Sequence, residues 1–150
     1  MMKNMKKVSC IVVLVTTIIA LTACNKWDCN GDLDGMWQLT EWRDKDDVVK
    51  ATKQDLIFYS FQLQMACFRK QGDGVLSFPY VRTSLKVSPE QVYIYDPIKY
   101  KSAGHDEILP MSSLASYGVP EDGIFQIQVL TSSEMMLKTN SQDVLTFRKY

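Results

Sequence analysis

The chain has 150 residues with 17 basic and 17 acidic side chains, which give it a formal net charge of zero at pH 7. Nucleic-acid-binding domains concentrate positive charge on one surface, so this balance argues against nucleic acid as a partner. The length is that of one domain, and it is sufficient to bury a hydrophobic core.

The first 23 residues differ from the rest of the chain. Three lysines (Lys3, Lys6 and Lys7) precede residues 8–20, which are almost entirely apolar. A positive start followed by a short apolar run is typical of a signal peptide. As a helix, this run would reach about 20 Å, short of the ~30 Å hydrocarbon core of a bilayer. We therefore predict that residues 1–23 target the chain for export and do not span the membrane.

Leu21-Thr22-Ala23-Cys24 follows the apolar run and resembles the lipobox of bacterial lipoproteins. In those proteins the cysteine thiol takes a diacylglyceryl group, and the cysteine becomes the first residue after cleavage. The resemblance implies that Cys24 is acylated, that residues 24–34 form a tether, and that the chain is held at a membrane of the bacterial cell envelope. Both the periplasmic face and the cell surface remain open. The alternative is an ordinary secretory signal or an uncleaved anchor beside an incidental cysteine.

Two further cysteines, Cys29 and Cys67, would remain in an exported and oxidising compartment. If residues 36–44 and 56–69 form an antiparallel hairpin, Cys67 lies opposite about residue 32 and close to Cys29. Connectivity cannot be read from sequence alone. A disulfide between the two and a pair of reduced thiols therefore stand as equal alternatives.

The stretch Asn30-x-Asp32-x-Asp34-Gly35, with Glu41 after it, fits the spacing of a twelve-position calcium loop. However, asparagine replaces the usual aspartate at the first position, and the first strand is expected to carry Glu41 away from the loop. We therefore predict an acidic, solvated turn without a metal.

Apolar and polar residues alternate with a period of two through most of residues 35–150, the pattern of half-buried strands. Residues 57–68 are predicted as one long strand, and turn residues such as Asp122-Gly123 separate the shorter runs near the C-terminus. The remaining predicted strands are residues 36–44, 75–81, 84–87, 92–95, parts of 99–109, and the runs around Phe125, Met135 and Leu145.

A short helix is expected between Ser112 or Ser113, as its N-cap, and Gly118, which would end it in the left-handed conformation. One short helix beside about eight strands predicts an all-β domain over residues 35–150. Because most neighbouring strands are joined by brief turns, we expect an antiparallel up-and-down β-barrel, which leaves no exposed sheet edge.

Gly35-Met36-Trp37 in the first strand and the closing Leu145-Thr146-Phe147-Arg148 resemble the Gly-x-Trp motif and the terminal basic residue of lipocalins. The whole domain is similar to small lipocalin-like lipoproteins of Bacteroidetes-type bacteria. The resemblance implies a closed barrel end built from Gly35, Trp37 and Arg148, with the arginine as a cation over the indole face. The alternative is that Trp37 is an ordinary core aromatic in another small barrel.

The expected function is binding of a small apolar or amphipathic ligand inside the barrel. The inward-facing residues predicted to line this lumen are Tyr59, Phe61, Leu63, Met65, Phe125, Ile127, Val129, Met135 and Leu137. Their spacing fits a filled core equally well. The alternative is a tethered protein-interaction module, an inhibitor or an accessory subunit of an envelope complex, that uses exposed tyrosines at Tyr80, Tyr93, Tyr95 and Tyr100.

The sequence gives no support for catalysis. His105 is the single histidine and lies in a polar turn. A catalytic zinc site usually needs three protein ligands, and no serine lies in a nucleophile-elbow motif. No glycine-rich phosphate loop follows a predicted strand. We therefore predict a protein without enzymatic activity or a cofactor.

Overall fold

The structure is a computed structural model that describes residues 29–71, 81–99 and 106–150. Several sequence predictions fall outside these residues. They are the signal peptide, Cys24, Tyr80, Tyr100 and His105. The strand predicted at 75–81 also lies outside, apart from its last residue, Val81.

The described residues form ten β-strands, and every pairing between them is antiparallel. The strands are β1 (Gly35–Arg43), β2 (Val49–Thr52), β3 (Ile57–Gln62), β4 (Met65–Lys70), β5 (Val81–Val87), β6 (Gln91–Lys99), β7 (Glu107–Ile108), β8 (Ile124–Leu130), β9 (Glu134–Thr139) and β10 (Val144–Lys149). Three short 3-10 helices accompany them at Gly31–Leu33, Lys53–Asp55 and Met111–Tyr117.

Eight of the strands close into a barrel in the order β1-β3-β4-β5-β6-β8-β9-β10. The ring is completed by β10 against β1, from Trp37 opposite Lys149 to Arg43 opposite Val144. The short strands β2 and β7 extend the sheet at the far ends of β1 and β6. The prediction of an all-β antiparallel barrel with a little helix is confirmed.

The barrel core consists of the inward-facing residues of alternate strand positions. Its largest fully buried side chains are Trp37, Tyr59, Phe61, Phe68, Phe125 and Phe147, together with Leu33, Leu39, Ile57, Ile94, Leu114 and Met135. Leu33 lies in the stretch predicted as a tether, yet it packs in this core. The folded domain therefore includes the Gly31–Leu33 turn that precedes β1.

The single strand predicted over residues 57–68 is wrong. The chain forms a hairpin there, with Gln62 opposite Met65 and Leu63 at a φ of 56° in the turn between them. The reversal also changes which alternate residues point inward. Tyr59 and Phe61 face the core as predicted, but on β4 the inward residues are Ala66 and Phe68.

Two other predicted boundaries are also wrong. β6 does not end at Asp96-Pro97 but continues to Lys99, because Asp96 adopts a φ of 52° and the register with β5 shifts nearby. A bulge of this kind accommodates a proline within a strand.

The 3-10 helix Met111–Tyr117 has Pro110 as its N-cap and no side-chain cap, so neither predicted serine caps it. Gly118 does end it, with a φ of 88°.

Candidate functional site

Trp37 lies at the start of β1, at the barrel end where the resemblance to lipocalins implied it. The indole is fully buried, and its Nε1 donates a 2.7 Å hydrogen bond to the carbonyl oxygen of Leu33. Leu33 belongs to the 3-10 helix that crosses this end immediately before β1. We refer to this end, defined by Trp37 and Leu33, as the closed end.

The cation over Trp37 is Lys149, so the assignment of this role to Arg148 is wrong. The Lys149 ammonium lies 4.9 Å from the centre of the indole ring, and it donates a 2.9 Å hydrogen bond to the carbonyl oxygen of Asp32. Lys149 is the cross-strand partner of Trp37 and shares its face. Because side chains alternate along a strand, Arg148 points to the opposite face, where it donates to Gln38 Oε1 at 2.9 and 3.1 Å.

Gly35 is placed where Lys149 passes the start of β1. A Cβ at this position would lie 2.9 Å from Lys149 Cε, and the glycine φ is 118°. Both observations explain why glycine precedes the buried tryptophan: other residues rarely adopt this backbone conformation, and a side chain would displace the lysine stem.

Aromatic rings fill the interior of the barrel around Tyr59. The ring centre of Tyr59 lies 4.6 Å from that of Phe68, 4.7 Å from that of Phe147, 6.2 Å from that of Phe61 and 6.5 Å from that of Phe125. These are the separations of edge-to-face and tilted aromatic pairs in contact. The rings therefore pack against one another.

The opposite end of the barrel is covered by residues 111–119, which we call the cover segment. Leu114 and Val119 of this segment are buried in the core. The hydroxyl of Tyr59 donates a 2.7 Å hydrogen bond to the carbonyl oxygen of Tyr117. Burial raises the pKa of the Tyr59 hydroxyl well above its ordinary value, and it also raises the pKa of the half-buried Tyr117.

Close packing continues where the cover segment meets the strands. A Cβ on Gly118 would lie 2.7 Å from Leu145 Cδ2 and 3.3 Å from Trp42 Cε3. Trp42 and Leu145 are cross-strand partners near the far end of the β1–β10 ladder. A glycine is thus required for the segment to seat against this end of the barrel.

The nine residues predicted to line a lumen divide into two groups. Tyr59, Phe61, Phe125, Met135 and Leu137 are 0–1% exposed, and Ile127 packs partly buried against them. Leu63, Met65 and Val129 lie outside the core. Leu63 and Met65 are displaced by the hairpin turn, and Val129 by a register shift after Ile127. A side chain bordering a water-sized cavity would expose surface to it, so the buried group describes a filled core.

Sequence reasoning missed core residues on β4, β5 and β6, including Phe68, Leu85, Val92 and Ile94. The alternation of Val81, Thr83 and Leu85 in β5, and of Val92 and Ile94 in β6, was the signal that marks them.

Cys29 and Cys67 are free thiols in the structure, Cys29 exposed and Cys67 partly buried. The predicted position of Cys67 opposite residue 32 is wrong, because the turn at Leu63 places it between Ser60 and Arg82 instead. Burial raises the pKa of the Cys67 thiol.

The residues of the apparent calcium loop make other interactions. The Asn30 amide donates to Asp34 Oδ1 at 2.6 Å and to the Leu63 carbonyl oxygen at 2.8 Å, while Glu41 forms an ion pair with Arg43 at 2.7 Å. Asp32 lies exposed in the Gly31–Leu33 turn. Within residues 29–71, 81–99 and 106–150, no three histidine, cysteine or acidic side chains are grouped to hold a metal ion.

Of the four tyrosines expected at the surface, the two that the structure describes lie together on the outer face of β6. The rings of Tyr93 and Tyr95 stack with centres 5.0 Å apart and an interplanar angle of 15°. The Lys86 ammonium lies 5.2 Å from the centre of the Tyr95 ring. Tyr93 is exposed, so this pair presents an aromatic patch with a cation to solvent.

In the part of the chain that the structure describes, no helix has both the length and the apolar character needed to cross a bilayer.

Comparison with known proteins agrees with this geometry. Residues 19–150 match the family described as a lipocalin-like domain. A lipocalin-like protein from Bacteroides uniformis is 24% identical with a TM-score of 0.57, over 80% of this chain and 100% of that one. An uncharacterized protein from Bacteroides eggerthii is 24% identical with a TM-score of 0.58, over 79% and 99% of the two chains. A protein from Burkholderia xenovorans is 15% identical with a TM-score of 0.51, over 78% and 82%. No curated protein matches this chain significantly. At these identities the three structures share the fold.

Proposed function

This chain belongs to the lipocalin-like domain family, and from that premise we propose that it is a non-enzymatic, lipid-anchored protein of the bacterial cell envelope that acts as a protein-interaction module. In this proposal Cys24 carries the lipid, and the barrel is a solid scaffold whose outer surface meets the partner.

The observation that carries the proposal is the filled interior. Tyr59 is enclosed by four aromatic rings, and its hydroxyl is bound to the cover segment at Tyr117. A barrel that carries a ligand needs a concave cavity, typically of about 300 Å³ or more for a drug-sized molecule. Among the described residues, packed side chains fill the interior around Tyr59, which favours function at the outer surface.

The Tyr93–Tyr95 pair is the part of the outer surface best suited to a protein partner. Tyrosine supplies a large contact area with few rotatable bonds and is enriched in the centres of protein interfaces. Each ring packs against the other, which limits its rotamers and should reduce the side-chain entropy lost on binding.

A small apolar ligand is the second candidate, because one feature of the cover segment favours its displacement. The Ser113 hydroxyl is buried there without a hydrogen-bond partner among the described residues. A buried hydroxyl left in this state destabilises the position of the segment that holds it. Movement of residues 111–119 would also break the Tyr59–Tyr117 hydrogen bond before a ligand could enter.

The interior is tested with benzene as a probe, on a soluble form that lacks residues 1–24 and keeps the whole described domain. We expect no saturable binding to the native sequence. Phe125→Ala should create an apolar cavity, and engineered cavities of this kind bind benzene. This variant is the positive control, although it should lose about 3–5 kcal/mol of stability. Stoichiometric benzene binding by the native sequence would favour the ligand candidate instead.

The outer surface is tested by affinity capture from envelope extracts with the native chain and a Tyr93→Ser/Tyr95→Ser variant. A matched control replaces two exposed apolar residues elsewhere, Val48→Ser/Ile108→Ser. We expect one stoichiometric partner with the native chain and the control, and its loss with the tyrosine variant. Equal capture by both variants would place the interface on another surface.

The lipid anchor is tested by labelling cells with a clickable fatty acid. The native chain and Cys29→Ala should be labelled, whereas Cys24→Ala should not. Labelling of Cys24→Ala at the native level would refute acylation at this residue.

A further inference from the structure

We infer that the closed end of the barrel docks on the bilayer that holds the lipid anchor, through a collar of exposed apolar side chains, while the opposite end faces away. The collar consists of Met65, Val87 and Val129. The inference rests on the acylated Cys24 of the proposed function and adds an orientation and a second contact with the membrane.

The length of the tether selects the end that meets the bilayer. Between Cys24 and Cys29 the chain advances five residues, which span at most about 18 Å when fully extended. The next residue, Asn30, is bound to the closed end through its 2.8 Å hydrogen bond to the Leu63 carbonyl oxygen. The distance between the lipid and the closed end is therefore limited to the ~18 Å length of this tether.

The opposite end is too distant for the same contact while the barrel stands upright. The nine-residue strands β1 and β6 are about 30 Å long at a rise of ~3.3 Å per residue. Strands in small barrels tilt by about 35–45°, which still leaves more than ~20 Å between the two ends. Only the closed end, or a flank of the barrel, can rest on the surface.

The collar favours the upright orientation over one on the flank, because its side chains surround the closed end. The opposite end also exposes apolar side chains, at Val48, Val49 and Ile108, so the tether and not apolar exposure selects the end that docks. Met65 and Val87 are 37% exposed and Val129 is 39% exposed, each in a turn or strand end on this side. Transfer of apolar side chains from water to the interfacial region of a bilayer lowers the free energy.

Backbone hydrogen bonds join the turns that carry the collar into one continuous rim. The Leu85 amide donates to the Gln64 carbonyl oxygen at 2.9 Å, and the Ile127 amide donates to the Glu90 carbonyl oxygen at 2.8 Å. The Lys149 amide donates to the Ser133 carbonyl oxygen at 2.8 Å, and the Tyr150 amide closes the rim by donating to the Met36 carbonyl oxygen at 2.8 Å. The collar side chains are thus held around one rigid rim and can contact a flat surface together.

Charge does not select this end. The cations Lys86, Arg148 and Lys149 lie at or near the rim together with the acids Asp32, Asp34, Glu90 and Glu134, so the two signs nearly balance. We therefore expect docking to occur on zwitterionic as well as anionic vesicles.

The test uses the lipoprotein purified with its acyl chains and placed in phosphatidylcholine vesicles that contain nitroxide-labelled lipid. In a Cys29→Ser/Cys67→Ser background, an environment-sensitive fluorophore is attached at Met65→Cys or Val129→Cys, and at Val48→Cys or Ile108→Cys for the opposite end. We expect a shift to shorter emission wavelength and strong quenching for the first pair, and neither effect for the second pair.

A further pair of variants separates docking from simple proximity. With the fluorophore at Val87→Cys, the change Met65→Glu/Val129→Glu should abolish the wavelength shift, while Val48→Glu/Ile108→Glu should leave it unchanged. Thermal unfolding followed by circular dichroism checks that each variant is folded, and all four substituted positions are exposed.

The outcomes distinguish this inference from the proposed anchor. Mass spectrometry of the purified chain reports acylation of Cys24, and an unacylated chain would overturn both. An acylated chain whose Met65 and Val129 probes remain in water would overturn the docking alone. Equal quenching at both ends would do the same, because it would show a barrel lying on its flank.

Discussion

Lys149 and Trp37 face each other across the β1–β10 ladder, with the ammonium 4.9 Å from the centre of the indole ring. The same ammonium donates to the carbonyl oxygen of Asp32, in the turn before β1. One side chain thus joins the last strand, the first strand and the chain that enters the barrel.

Replacement of this cation should weaken the closed end. We expect Lys149→Met to lower the free energy of unfolding by about 1 kcal/mol, the usual size of a partly shielded cation–π contact. Lys149→Arg keeps the positive charge and should lose less. Urea unfolding followed by tryptophan fluorescence measures both, and equal losses would show that the charge does not contribute.

The resemblance to lipocalins implied Arg148 as the cation over Trp37, whereas the structure has Lys149 in this place. Arg148 and Lys149 are adjacent, and a shift of one residue moves a side chain to the opposite face of the sheet. The register between β1 and β10 decides which of them reaches Trp37. That register depends on pairing between residues more than 100 positions apart, which a local pattern does not reveal.

Gly123 should be far less tolerant of substitution than Gly31. Both have a positive φ, 68° and 59°, but a Cβ on Gly123 would lie 1.9 Å from the Ile94 carbonyl oxygen, and one on Gly31 would contact nothing within 4 Å. Gly31→Ala should cost about 1–2 kcal/mol of backbone strain. Gly123→Ala adds a backbone clash and should cost about 3 kcal/mol or more. Similar losses of melting temperature in the two variants would contradict this difference.

The hairpin turn at Leu63 offers a stabilising substitution. Leu63 has a φ of 56° at the first central position of a two-residue turn, where glycine is favoured. We expect Leu63→Gly to raise the free energy of unfolding by about 1 kcal/mol, because it relieves the strain of a left-handed leucine. Gln64→Gly is the control and should not stabilise. A destabilised Leu63→Gly protein would show that the leucine contributes more by packing than it costs in strain.

The same turn explains the largest error in the sequence-based prediction. Residues 59–65 alternate without interruption through the turn, and neither Leu63 nor Gln64 is a residue that favours turns. Only the pairing of β3 with β4 requires the reversal, and this moved Leu63 and Met65 out of the predicted lumen. By contrast, Phe125, Met135 and Leu137 were placed correctly because glycine, serine and asparagine mark the turns beside their strands.

Whether the interior is filled could not be predicted from alternation. The same inward positions line a cavity or a packed core, and the difference depends on side-chain volume across the barrel. Tyr59 illustrates the point, since its ring fills space between strands while its hydroxyl reaches the cover segment.

Removal of that hydroxyl should loosen the cover segment. Tyr59→Phe leaves the Tyr117 carbonyl oxygen without its 2.7 Å partner, and we expect a loss of about 1–3 kcal/mol. Tyr93→Phe, on the exposed outer face, should be nearly neutral. Hydrogen exchange of residues 111–119 should accelerate in the Tyr59 variant only. Unchanged exchange would show that Leu114 and Val119 hold the segment without this bond.

The same residue should make the protein sensitive to alkaline pH. Burial raises the pKa of the Tyr59 hydroxyl above its ordinary value of 10.0, whereas in the unfolded chain tyrosine ionises near that value. Above pH ~10 the unfolded state therefore binds fewer protons than the folded state, so stability is fully present below pH ~10 and falls as the pH rises further. Tyr117, whose pKa is also raised, acts in the same direction. Urea midpoints measured from pH ~9 to ~11 should fall less steeply for Tyr59→Phe than for the native chain, with Tyr93→Phe keeping the native slope. Identical slopes in all three proteins would show that the Tyr59 hydroxyl ionises as readily in the barrel as in the unfolded chain.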